Sequence, residues 1–185
     1  MTIEELQQLV LADHELMTIL SIIETLPLKD CWLAAGAIRN AIWNHLAYGI
    51  GFDPLTDVDV VFFDPEISYE AEQLLEEQLK CAYPMYQWEV RNQAYMAAHN
   101  PKTPPYRSSQ DAIARYPERC TAIAVRLVGG QLEVFAPYGL ADISHFVCRP
   151  TPHFLEDSER MDCYRQRLAK KDWHKKWPQL TYHDC

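Results

Sequence analysis

Two aspartates one residue apart, Asp57 and Asp59, sit in an otherwise apolar run, DVDVVFF at 57–63. Its β-branched content predicts a strand. Strand side chains alternate faces, so both carboxylates project from one face about 7 Å apart. Beside Val58, Val60 and Val61 they are poorly hydrated and repel each other. Each is expected to hold its proton more tightly unless a cation sits between them. Oxygen-only ligands of this kind suit Mg²⁺ (or Mn²⁺), which keeps several waters and completes its shell with substrate phosphates. The alternative is a strand end with both acids in solvent.

A second group of residues suits a phosphate. Gly36 closes the apolar run CWLAAG (31–36) and opens a helical pattern, AIRNAIWNHLAYG (37–49). Glycine lets the backbone approach a phosphate, and the helix N-terminus adds N–H donors and the positive end of its dipole. A plain turn is the other reading of Gly36. A phosphate cradle one element before a carboxylate pair is the layout that nucleotidyl transfer requires. Glu89, in Trp88-Glu89-Val90, is the first acid on the next strand and the first choice for a third carboxylate; Glu133, in LEVF, is the second. Arg39 and Asn40 lie in the first turns after Gly36, within reach of a phosphate or sugar or simply exposed. Arg91 follows Glu89 and is open to pairing with a carboxylate.

This order of residues resembles the DNA polymerase β-type nucleotidyltransferase superfamily. The resemblance implies a mixed β-sheet flanked by helices and metal-dependent transfer of a nucleoside monophosphate, with Asp57, Asp59 and Glu89 as metal ligands. More narrowly, AAGAIRNAIW, TDVDVVFFD, WEVRNQAYM and APYGLADI resemble a group of small bacterial nucleotidyltransferase-like proteins of unassigned substrate, over roughly residues 30–180. The superfamily usually has Gly-Gly or Gly-Ser where this chain has Gly36-Ala37. Ala37 carries no hydroxyl, so a phosphate contact there falls to its backbone N–H.

The elements that must position these residues follow from periodicity. Residues 3–25 carry one apolar helical stripe, with Asp13 placed to cap a second helix after a break. After the strand at 57–63, the acidic stretch 66–80, with Leu74, Leu75 and Leu79, reads as a helix with a solvated charged face. MYQWEVRNQ (85–93) reads as a strand, 99–109 as a Pro-rich loop and 110–117 as a short helix. Residues 121–137 read as a hairpin turning at Gly129-Gly130, which argues against a purely parallel sheet. A short helix at 139–146 and a charged helix or helix pair from Glu156 to Trp177 follow. The expected fold is α/β (α+β), one unit over 1–185: a helical segment at 1–26, a core at 27–150 and a helical segment at 151–185.

Composition sets limits on function. The chain has 185 residues, 48% hydrophobic, with 17 Lys+Arg against 26 Asp+Glu and a net charge of −9. That balance argues against bulk nucleic-acid binding. The segment RQRLAKKDWHKK (165–176) reverses it locally with six basic side chains and one acid. It reads as a patch for RNA or a nucleotide-bearing partner, or, in the favoured reading, as a solvated helix face with Trp173 and Trp177 docked on the core. The six cysteines form no CxxC, the seven histidines form no ligand spacing, and P-loop, Rossmann and hydrolase-elbow motifs are absent. With no signal-peptide pattern and no long apolar run, a cytoplasmic protein with reduced thiols and no membrane partner is expected. The leading functional reading is an enzyme that takes an NTP and a hydroxyl acceptor, whether small molecule, protein or RNA end. The alternatives are a nucleotide-sensing module without turnover and a metal-dependent phosphohydrolase.

Overall fold

The computed structural model describes residues 1–185. Two short helices, α1 (Ile3–Ala12) and α2 (His14–Glu24), meet at Asp13 and diverge by 92°. Asp13 ends α1 with extended backbone and caps α2 by accepting from the Leu16 N–H. Its second oxygen accepts from the Phe52 N–H, which ties the loop before the aspartate strand to the helical layer. Gly51 allows this approach, since a Cβ there would lie 2.1 Å from the Asp13 carboxylate.

Five strands form one mixed sheet: β1 (Trp32–Ala34), β2 (Asp57–Phe62), β3 (Gln87–Asn92), β4 (Ala124–Val128) and β5 (Gln131–Phe135). Their order is β3-β2-β1-β4-β5. β2 and β3 run parallel; the other pairs are antiparallel. β4 and β5 form the expected hairpin, with Gly129 and Gly130 both at positive φ. Helix α3 (Gly36–Tyr48) leaves β1, and α4 (Tyr69–Ala82) makes the crossover that parallel strands need.

Alternation in β2 divides its residues between the sheet faces. Val58, Val60 and Phe62 join the main core with Leu33, Trp88, Val90 and the apolar stripes of α1, α2 and α3. Val61 faces the other way, into a smaller cluster with Trp32, Ala34 and Ile113, and Asp57 and Asp59 share that face.

The acidic stretch before β3 departs from the expected solvated face. Glu72 and Glu76 of α4 are buried. Their carboxylates accept from the backbone N–H groups of Asn92 and Val90 at 2.5 and 2.9 Å. β3 is the sheet edge, and without these glutamates its outward N–H groups would lack partners.

Beyond β3, the chain forms α5 (Gln93–Met96), a 3₁₀ turn at Ala97–His99 and α6 (Ser109–Ile113). After the hairpin come α7 (Ala141–Ser144), β6 (Val147–Cys148), α8 (Pro152–Leu155), α9 (Ser158–Lys170), α10 (Trp173–Lys176) and β7 (Thr181–Tyr182). β6 and β7 pair in parallel as a separate two-stranded sheet. Trp173 and Trp177 pack edge-on against Trp43 of α3, with ring centroids 5.9 and 5.0 Å apart. They hold the C-terminal helices against α3. No single helix is long and apolar enough to cross a membrane.

Candidate active site

The parallel pairing of β2 and β3 sets Asp59 opposite Glu89 and Asp57 opposite Gln87. Asp57, Asp59 and Glu89 therefore stand on one face of adjacent strands. Asp57 is exposed at the strand start, and Asp59 is half-buried. Burial, then the charge of Glu89, then that of Asp57, push Asp59 up to about 6; a hydrogen bond from the Gly36 backbone N–H and the charge of Arg39 act against this. Glu133 lies on the same sheet face but three strands away on β5, where it pairs with Arg126 at 2.6 Å, so the strand order keeps it from the aspartates.

No three His, Cys, Asp or Glu side chains are drawn together tightly enough to hold a metal ion by themselves. The donor chemistry still fits a divalent cation. Three carboxylates on two strands would leave room for water and phosphate around such an ion, as Mg²⁺ requires. Burial first, and the neighbouring carboxylates after it, raise Asp59, and a cation beside it would favour its charged form.

Across the cleft stands a cationic wall. Arg39, 4% exposed, is packed between Trp173 and Trp43, its guanidinium carbon 4.1 and 5.1 Å from their rings. Its Nε and Nη2 donate to Asn40 Oδ1 at 3.1 and 2.8 Å, and its Nη1 donates to Thr121 Oγ1 at 2.7 Å. None of its partners is a carboxylate, and burial lowers its pKa. Lys171 is exposed at the mouth and also has no carboxylate partner. Desolvation by the cleft walls, then repulsion from Arg167 and Arg39, lower its pKa. Arg167 is held by Glu118, which is fully buried, at 2.6 Å. Lys176 pairs with Asp53 at 2.5 Å, which keeps that carboxyl below its usual range.

The two walls enclose one cleft of about 530 Å³ lined by Gly36, Arg39, Asn40, Thr56, Asp57, Asp59, Glu89, Thr121, Arg167, Lys171 and Lys176 among others. Of the residues singled out from the sequence, it brings together Asp57, Asp59, Glu89, Gly36, Arg39 and Asn40. Ala37 is fully buried and outside it. Ala35, not Gly36, carries the unusual backbone: it precedes α3 at φ 53°, ψ −117°, a region glycine enters far more readily. A Cβ at Gly36 would make only ordinary contacts, the nearest 3.6 Å from Asp59. Its backbone N–H faces the Asp59 carboxylate and lowers the pKa of that group.

The basic segment 165–176 keeps the favoured reading and adds to it. Its tryptophans are docked on the core and most of its basic side chains are exposed, as expected, and Arg167, Lys171 and Lys176 also line the mouth of the cleft. The cause is that docking: with Trp173 and Trp177 fixed on Trp43, the basic side chains between and before them are turned toward the start of α3. Their composition was the signal. Thr121, which orients Arg39, left no signal in the sequence.

A family model described as nucleotidyltransferase matches residues 21–182. A solved NMR structure described as revealing a CCA-adding enzyme head domain is similar to this chain, with a TM-score of 0.91 and 50% identity; the match covers 97% of this chain and 96% of that one. No curated protein matches the sequence.

Proposed function

The chain belongs to a nucleotidyltransferase family, and from that premise we propose that its cleft moves a nucleoside monophosphate from an NTP to a hydroxyl acceptor, releasing pyrophosphate. One observation carries this reading: Arg39 and Lys171, cations without carboxylate partners, face Asp57, Asp59 and Glu89 across a single cleft. Like charges crowd each wall, and a ligand bearing both signs relieves both. A metal–triphosphate is such a ligand.

In this reading Arg39 and Lys171 draw the β- and γ-phosphates, and Asn40 and the start of α3 at Gly36 flank the nucleotide. Asp57, Asp59 and Glu89 hold Mg²⁺ (or Mn²⁺). When bound, the metal neutralises charge on the phosphate oxygens and makes the acceptor hydroxyl more acidic. Glu89, the most accessible of the strand acids after Asp57, takes the hydroxyl proton. Residues 27–150 supply the carboxylates and Arg39, and 151–185 the remaining cations, so the chain acts as one unit. All six cysteines are free thiols, which supports a reducing, cytoplasmic setting.

The test is incubation of the protein with an α-labelled NTP, Mg²⁺ and cell extract. A labelled adduct with pyrophosphate is the expected result. Free phosphate in place of an adduct would favour a phosphohydrolase, and binding without turnover a sensing module.

A further inference from the structure

Asp57 and Glu89 border two hollows. On one side lies the cation-walled cleft. On the other lies a smaller hollow of about 260 Å³, walled by Lys80, Pro84, Tyr86 and Gln87 at the start of the edge strand β3. The order of the sheet separates the two. Arg39 follows β1, on one side of β2, and the small hollow lies along β3, on the other side.

In-line displacement at phosphorus puts the attacking and leaving oxygens on opposite sides. With the β- and γ-phosphates drawn to Arg39 and Lys171, the attacking hydroxyl must arrive from the β3 side. We propose that the hollow at the start of β3 is the acceptor subsite, and that the acceptor is a small hydroxyl compound carrying no phosphate. This rests on the nucleotidyl-transfer reading above.

Size and charge choose the acceptor class. The hollow is smaller than the clefts of about 300–1,000 Å³ that take drug-sized ligands, so it suits a molecule of sugar size. Its one cation, Lys80, is held by Glu76 at 2.5 Å, and Glu76 is also held by Arg91. No free cation remains there to receive a phosphate of the acceptor. The phosphates beside an RNA end would find no free cation in the hollow. The Tyr86 hydroxyl is spent on Glu15 and the Trp88 N–H on the Tyr83 carbonyl. The Gln87 amide is exposed, and no side chain or backbone group of the protein satisfies it, so it is free for an acceptor hydroxyl. In the transfer, the acceptor oxygen bonds to the α-phosphorus as the Pα–O bond to the β-phosphate breaks. Pyrophosphate leaves with that bonding pair, Glu89 receives the hydroxyl proton, and the product is a nucleoside-monophosphate ester.

The experiment gives the full-length protein, Mg²⁺ and α-labelled NTPs three separate acceptor pools: phosphatase-treated dialysable metabolites, total RNA, and protein. Calorimetry with a non-hydrolysable triphosphate and Mg²⁺ runs beside it. The expected result is label in a dialysable product, with Gln87→Trp, which fills the hollow, lowering its yield about tenfold or more at unchanged triphosphate affinity. Label in RNA or protein, label in no pool while the triphosphate binds, or full yield from Gln87→Trp overturns the acceptor subsite and leaves nucleotide binding standing. Failure to bind the triphosphate at all overturns the nucleotidyl-transfer reading itself, and this proposal with it.

Discussion

The two walls of the cleft carry opposite charge and are built in opposite ways. The acidic wall is local. Asp57 and Asp59 share one strand, and parallel pairing with the next strand in sequence adds Glu89. The cationic wall is assembled from distant parts of the chain: Arg39 from the first turn of α3, Thr121 from the segment before β4, and Arg167 and Lys171 from the end of α9. In both walls like charge is held together against repulsion, and burial weakens the charged form of Asp59 and of Arg39. A short strand motif suffices to gather acids. Gathering cations beside them takes a tertiary scaffold, here the tryptophan packing between α3 and α10.

The comparison breaks most sharply at Asp59. Asp59→Asn keeps the shape and removes a charge, so turnover should fall about 10³-fold, the scale of a lost electrostatic anchor at a reacting phosphate. Thermal stability without metal should stay level or rise, because repulsion within the acidic wall falls. A large loss of stability on melting would instead make Asp59 a structural residue.

Glu89→Gln is the next largest effect. Turnover should fall about 10²-fold, the usual scale for a lost general base, with triphosphate affinity within a few-fold. Glu133→Gln should leave turnover unchanged, since Glu133 only pairs with Arg126 on the far strand. Steady-state kinetics on the two variants decides between them.

On the cationic wall, Arg39→Lys keeps the charge but loses the fork that spans Asn40 and Thr121. It should weaken triphosphate binding about tenfold, or ~1.4 kcal/mol, by calorimetry. Unchanged affinity would remove Arg39 from the nucleotide site.

The pH dependence tests the acidic wall alone. Asp59 titrates near 3.8 unfolded and is pushed up to about 6 in the fold. Between those values the native state binds more protons than the unfolded one, so metal-free stability should fall as pH rises. Asp59→Asn should flatten that slope in denaturant melts, and saturating Mg²⁺ should reduce it.

The smallest expected effect is at the turn from β1 into α3. Ala35→Gly should raise stability by about 1 kcal/mol, because glycine relieves the positive φ at some cost in unfolded-chain entropy. A lower melting temperature would show that the Ala35 methyl packs better than its backbone suffers.

Much of this molecule was legible before the fold. The alternation in DVDVVFF placed both aspartates on one face, the Gly-Gly turn marked the hairpin, and Asp13 marked the break between the first helices. The misread parts have a common cause. Glu72 and Glu76 look like surface charge because a helix pattern cannot tell that an edge strand will need acceptors for its N–H groups. Lys171 and Arg167 are solvated as expected, but that they line the cleft was not legible, because a basic helix face carries no record of what it will be packed beside. Ala35 gave no warning, since a backbone angle is imposed by the turn from β1 into α3 and alanine is ordinary in either element.

The sequence alone therefore determined the local chemistry: which carboxylates share a strand face, where glycine permits a turn, and which elements form. Only the tertiary structure decided which strand lies next to β2, and so that Glu89 and not Glu133 joins the aspartates. It also decided that the C-terminal cations face them. The physical reason is range. Alternation and turn chemistry act between neighbours in the chain, whereas strand order and the docking of Trp173 and Trp177 on Trp43 come from burying apolar surface shared by distant segments.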